Sequence, residues 1–226
     1  MGAGYAPDMS ATLIEAPTLG RAWLDVSRAI LEHGVPATWG GAPTRELPRL
    51  TVIVAEPSSA DAVIAELGDP ERLSWMRANF SERRPVADLG GARSYAERLF
   101  DYGGAGHDQL AWVIERLGAD PACRDATITT FEPLTDRSYV PCVSLLDFWR
   151  PEGPVELVVA AHGLDFGKKA YGNLVELAHL QETVAEALDA PVGRLVLHVK
   201  TAHVYEPEWA LMAELAGAAT QPGRAD

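Results

Sequence analysis

Apolar positions recur at helical spacing over residues 19–33. Ala22, Trp23, Val26, Ile30 and Leu31 fall on one face, Thr18 offers an N-cap and Gly34 a stop. The run Leu50-Thr51-Val52-Ile53-Val54-Ala55 reads as a strand closed by Glu56-Pro57. Two short helical patterns follow over residues 60–67 and 70–80. Residues 81–106, rich in Gly, Arg and Pro, read as a loop. Helical spacing returns over 107–117, where Leu110, Val113, Ile114 and Leu117 point inward, and residues 126–131 alternate as a strand does. Strands are expected over 142–149 and 155–161, joined by a turn at Arg150-Pro151-Glu152-Gly153. The strongest helix covers 171–188, with Leu174, Leu177, Ala178, Leu180, Val184 and Leu188 in a wide apolar stripe. Residues 195–204 read as a strand and 208–217 as a last helix. Residues 1–16 are expected as a flexible arm, 17–218 as one domain and 219–226 as a disordered tail. Hairpin-linked strands mixed with helices predict an α+β fold on one sheet rather than alternating βαβ units.

Composition narrows the partners. The chain has 226 residues, enough to bury a full core, and a hydrophobic fraction of 47% typical of a globular protein. A formal charge of -13 argues against nucleic-acid polymers and anionic membranes as main partners. A small anionic ligand responds to a local pocket, so the total charge leaves it open. The start of the chain shows no signal-peptide pattern, and apolar runs such as 157–161 are too short to span a bilayer. With nothing marking secretion, Cys123 and Cys142 are expected as reduced thiols in a cytoplasmic protein.

Cys142 follows Pro141 at the mouth of a predicted strand. His162, Asp165, Asn173, His203 and Tyr205 arrive later in the chain at wide, ordered spacing. A thiol joined by imidazole, carboxylate and amide groups suggests a covalent nucleophile in a pocket for a polar substrate. Taken alone, Cys142 reads more readily as a buried structural cysteine, Asn173 also as a helix-start residue and Asp165 equally as a turn former. The six histidines lack HExxH or HxH spacing, so no metal is expected. Gly103-Gly104-Ala105-Gly106 lacks the order of a dinucleotide fingerprint. A cysteine hydrolase using Cys142 and His203, or an inert dimerisation module, also fits the composition.

In combination, residues 94–99 (SYAERL), 120–131 (DPACRDATITTF), 140–142 (VPC), 162–173 (HGLDFGKKAYGN) and 202–205 (AHVY) resemble thymidylate synthase. The likeness is to its shorter archaeal-type members and the related nucleotide hydroxymethyltransferases, over roughly residues 17–210. The resemblance implies a single α+β domain, a mixed sheet flanked by helices, and sheets back to back in a homodimer. It implies one-carbon transfer from 5,10-methylenetetrahydrofolate to C5 of a uracil-type nucleotide or nucleoside, with a methyl or hydroxymethyl product. Cys142 would add to ring C6 as a thiolate, which requires a lowered thiol pKa. Asn173 would read the base, its amide suiting uracil where an aspartate would suit cytosine. Asp165 would meet the folate pterin. His203 and Tyr205, two apart on a strand and so on one side, would hold the sugar. Tyr95 matches a tyrosine of the reacting centre. His162, Gly163 and Arg124 occupy substrate-binding positions, Arg124 acting from a partner subunit. The same resemblance is compatible with a CMP or dCMP hydroxymethylase, and with a degenerate paralogue that only binds or dimerises.

The chain departs from the family at the anion contacts. A paired arginine reads Arg124-Asp125, an arginine-serine pair reads His162-Gly163, the residue after Cys142 is Val143 rather than histidine, and no early arginine-glycine loop is recognisable. Each lost bidentate arginine contact to a buried phosphate costs about 2–5 kcal/mol. Lys168, Lys169, Arg137 and Arg83-Arg84 are the candidate replacements, and His162 is expected to gain charge at lower pH. That pattern suggests a changed substrate in a specialised biosynthetic pathway. Glu56 and Glu97 are the candidates for a proton-relaying glutamate.

Overall fold

The chain threads one mixed sheet, and every helix that carries an apolar face uses it against that sheet's core. A computed structural model describes residues 11–83, 86, 89, 91–137, 139–151 and 153–218. Strand β1 (Thr12–Ala16) runs parallel to β3 (Ala42–Val54). Residues 12–16 are therefore a sheet edge and not part of a flexible arm. Residues 1–10, and the expected tail at 219–226, lie outside the described residues. Helix α1 (Leu19–His33) follows its expected bounds: the Thr18 side chain accepts from the Arg21 N–H, and Ala22, Trp23, Val26 and Ile30 are buried.

Strand β2 (Val35–Trp39) and the first half of β3 were not legible as a hairpin. They join through Gly40 and Gly41, both at positive φ (58° and 83°), the backbone that a tight two-residue turn requires. Helices α2 (Ala62–Leu67) and α3 (Pro70–Ser81) start at the side-chain caps of Asp61 and Asp69. The stretch expected as a loop over 81–106 contains α4 (Tyr95–Phe100), opened by a reciprocal capping box between Ser94 and Glu97. Then come α5 (Gln109–Ala119), β4 (Thr127–Thr129), β5 (Val143–Trp149), β6 (Val155–Ala161), the two-residue β7 (Leu164–Asp165), α6 (Ala170–Ala187), β8 (Val192–Tyr205) and α7 (Trp209–Ala218).

The sheet runs β1-β3-β8-β6-β5-β4, with β2 beside β3 and β7 beside β8. Pairing is antiparallel except for β1–β3, β6–β8 and β7–β8. One apolar core spans the sheet and the helices, and α6 lies deep within it, its Leu174, Leu177, Ala178 and Val184 all buried. The α+β, single-domain, mixed-sheet architecture is the one expected.

One irregularity positions the functional residues. In β8 the buried positions run Leu195, Leu197, Val199 and then Ala202, Val204, so the alternation changes parity. The change falls where the β3–β8 ladder passes from Leu50–Val199 to Pro48–Thr201, beside Arg49 at φ 55°. Had the alternation run on, residues 201, 203 and 205 would be core positions. Instead Thr201, His203 and Tyr205 are half-buried and line a cavity.

Candidate active site

Cys142 lies at the end of the loop that enters β5, and its neighbours are clamped from several sides. The Val143 N–H donates to the Tyr95 hydroxyl at 3.0 Å, and the Val143 carbonyl accepts from the Thr130 hydroxyl. The Cys142 carbonyl accepts from the His162 N–H at 3.0 Å. Behind the loop, the Arg98 guanidinium is 2% exposed and grips Asp136 with two nitrogens at 2.7 and 2.8 Å while also donating to the Thr130 and Arg93 carbonyls. Arg93 reaches Glu132 at 2.7 Å. A fully paired buried guanidinium of this kind holds its loop in one conformation.

The thiol opens into a cavity of about 570 Å³. Asn173, on the first turn of α6, is buried, and its Nδ2 lies 3.5 Å from the Met76 sulfur, a weak acceptor. Among the described residues the Asn173 amide has no other side-chain partner, so its polar edge is open to a ligand. Asp165, at the end of β7, accepts the Gly167 and Lys168 N–H groups on Oδ1 at 3.0 and 3.2 Å. One oxygen thus builds the turn into α6, and the residue still lines the cavity. His203 and Tyr205 meet edge to face, ring centroids 5.2 Å apart and planes at 89°. His162 and Gly163 line the same cavity, with the Ser144 hydroxyl 3.3 Å from His162 Nδ1. Tyr95 is buried and stacked on Phe80 at 4.3 Å.

Arg124 is exposed on the connection between α5 and β4 and does not line the cavity of its own chain; the role expected of it belongs to a second copy. Asp125 beside it is engaged by Arg116 at 2.6 Å. Of the replacement cations, Lys168 and Lys169 line the cavity, whereas Arg137 is exposed elsewhere and Arg83 lies over the Phe100 ring and beside Asp108. Arg84 is outside the described residues. Neither proposed glutamate reaches the site: Glu97 caps α4, and Glu56 lines a separate cavity of about 450 Å³ beside Thr18 and Asp61. The glutamate among the lining residues is Glu46, paired with His203 across β3 and β8.

Several lining residues went unread in the sequence. Arg72, Trp75, Met76 and Asn79 are spaced i, i+3, i+4, i+7 and form one face of α3. That period was present in the sequence but mixed in polarity, so it did not register as a core face. Trp39, Glu46 and Lys200 come from strand segments that only the pairing of β2, β3 and β8 brings together.

Electrostatics correct the expectation for Cys142 and leave the one for His162 standing. Burial pushes the Cys142 thiol up, Lys169 draws it back, and Asp165 adds to the rise; the outcome is a raised thiol, where a lowered one was expected. Burial and then the Lys200 charge push His162 down, so it is neutral at physiological pH and does not supply a cation there. Burial raises Asp165, offset by His203 and by the two backbone donors. Burial also holds the Tyr95 phenol well above its usual range.

An α+β chain on one mixed sheet, with a cysteine, an asparagine, an aspartate and a histidine–tyrosine pair around one cavity, defines a protein of the thymidylate synthase type. The thymidylate synthase family model matches residues 59–221, and the chain belongs to that family. It is 30% identical over 207 residues to a Methanosarcina mazei protein named "Putative thymidylate synthase", covering 90% of this chain and 94% of that one. A Methanosarcina barkeri protein of the same name is 28% identical over 206 residues, with 90% and 94% covered. The "Bifunctional dihydrofolate reductase-thymidylate synthase" of Zea mays matches at 27% over 113 residues, 49% of this chain and 22% of that protein. Family membership suggests folate-dependent one-carbon transfer to a pyrimidine. No described helix is long and apolar enough to cross a membrane.

Proposed function

We propose that the protein transfers a one-carbon unit from 5,10-methylenetetrahydrofolate to C5 of a uracil-type nucleotide or nucleoside. The observation that carries this reading is that Cys142, Asn173, Asp165, His203 and Tyr205 line one cavity although they come from separate segments. The Cys142 thiolate adds to ring C6, and the electron pair displaced from the C5–C6 double bond leaves charge at C5 and the neighbouring carbonyl. The Asn173 amide donates to that carbonyl and accepts from the ring N–H, so the same group selects the base and stabilises the developing charge. His203 and Tyr205 hold the sugar hydroxyl. Tyr95 fixes Val143 and with it the approach of the sulfur.

The residues present suit a folate. Asp165 has a second oxygen without a hydrogen-bond partner among the described residues, matched to the adjacent donors of a pterin, and the flat Trp75 ring lines the same cavity. The folate supplies the one-carbon unit when bound. Arg72, Lys168, Lys169 and Lys200 line the cavity against the carboxylates Glu46 and Asp165, a local excess of positive charge on a chain of net charge -13. That balance favours anionic ligands.

A second reading, a paralogue that binds these ligands without turning them over, draws on the raised Cys142 thiol. Release of tritium from 5-tritiated dUMP, UMP, dCMP, CMP and uridine, with and without the folate, separates the two. Release is expected for a uracil compound from the wild type. Cys142→Ala is expected to abolish it while still binding ligand in a thermal-shift assay. Equal release from both proteins rules out Cys142 as nucleophile. Binding without release from any compound supports the inactive paralogue, and release only from cytosine compounds identifies a cytosine hydroxymethylase.

A further inference from the structure

Burial and the Asp165 carboxylate oppose ionisation of the Cys142 thiol. Asp165 reaches the cavity from β7, Tyr95 from α4, Tyr139 from the loop entering β5, His203 and Tyr205 from β8, and His162, pushed down by burial and Lys200, from the end of β6. Arg72 from α3, Lys168 and Lys169 from the start of α6 and Lys200 from β8 bring positive charge to the cavity, and of these Lys169 draws the thiol down. Lys169 is the residue before its first turn, and its Nζ lies 5.2 Å from the centre of the Trp75 ring, inside the same cavity. The two lysines at this turn are used differently. Lys168 is bound to Glu208 at 2.9 Å and lies over the Tyr205 ring at 5.6 Å. No salt bridge among the described residues joins Lys169 to a carboxylate.

We propose that Lys169 is the counter-ion of the Cys142 thiolate, a positioning residue that supplies the positive field at the reacting sulfur while the thiol proton leaves to solvent. The proposal rests on Cys142 being the nucleophile. The Trp75 ring gives the ammonium a fixed seat through its negative face, which limits the freedom of a long side chain. Inside a half-buried cavity such a charge is screened less than at the surface. The direction agrees with the shifts: Lys169 draws the Cys142 thiol down against burial and Asp165. A bound base would exclude water and strengthen both the burial penalty and the Lys169 attraction, so the thiolate depends more on Lys169 in the complex than in the free protein.

The test is the rate of Cys142 alkylation by iodoacetamide, a neutral reagent, as a function of pH. Mass spectrometry of the Cys142 peptide keeps Cys123 out of the signal. The thiolate is the reacting form, so the rate rises with pH through the thiol pKa. Lys169→Met is expected to move that rise to higher pH and to slow alkylation near neutrality about tenfold, as a shift of one pKa unit does. Lys169→Arg is expected to restore the wild-type profile. Identical profiles for wild type and Lys169→Met overturn the proposal, as does failure of Lys169→Arg to rescue, which marks a packing role. If Lys169→Met does not fold, Lys169→Gln takes its place, and a profile identical to the wild type overturns the proposal. A wild-type thiol that stays unreactive up to about pH 10 overturns it too. None of these measurements needs a pyrimidine or a folate, so their failure is distinguishable from failure of the tritium-release reading.

Discussion

Asn173 combines burial with an amide edge that only a weak sulfur acceptor touches. A buried amide left this way costs stability unless a ligand completes its hydrogen bonds, which supports the recognition role proposed for it. Its helix-start position was visible in the sequence, yet an asparagine there commonly caps the helix; here it lies inside α6 and Lys169 stands before it. Asn173→Asp exchanges a donor for an acceptor at the base. It is expected to change the ratio of tritium release from dUMP to that from dCMP by about tenfold or more toward cytosine, with Cys142 alkylation unaffected. An unchanged ratio places base selection elsewhere. Asp165 shows why two readings of one residue need not exclude each other: Oδ1 forms the turn while the residue still faces the cavity.

At the scale of elements, the decisive feature is the break between β3 and β8. Strand period places His203 and Tyr205 on one side, but which side they take depends on the parity change beside Arg49. Arg49 holds a left-handed backbone conformation at φ 55°. For a residue with a Cβ that conformation costs about 1–2 kcal/mol, and more for a β-branched side chain. Arg49→Gly and Arg49→Val both remove the guanidinium, so their difference reports the backbone alone. Thermal unfolding is expected to find the valine variant less stable than the glycine variant by about 2 kcal/mol. Equal stabilities would mean that the break is maintained without strain. The α4 segment and the Glu132–Asp136 turn make the same point: Arg98 was one of many arginines in a loop-like stretch, and its burial against Asp136 follows only from where the turn folds.

At the scale of the molecule, the sheet has one face in the core and one only partly covered. On the second face Ile53, Val196 and Val158 lie in one row across β3, β8 and β6, and Ala160 and Leu145 in the next, none of them buried. His198, Thr51 and Asp147 give these rows polar positions. A half-exposed apolar band in the middle of a wide sheet suits a second sheet packed against it. We propose a homodimer through this face, with Arg124 contributing across the interface. Light scattering is expected to give twice the chain mass, and Val158→Lys with Val196→Lys to give monomers; a wild-type monomer at working concentration removes the role proposed for Arg124. The helices α1, α5 and α6, the strands β5 and β6, the α+β class and the ordered residues Cys142, Asp165, Asn173, His203 and Tyr205 were all legible in the sequence, because periodicity and motif spacing are local properties of a chain. The β2–β3 hairpin, the cavity face of α3, the place of Glu46 on the cavity wall where Glu56 and Glu97 are absent, the raised thiol and the seat of Lys169 were decided by tertiary structure. Each depends on which distant segments exclude water around a given atom, and burial and field strength at a point are set by the folded surroundings rather than by neighbours in sequence.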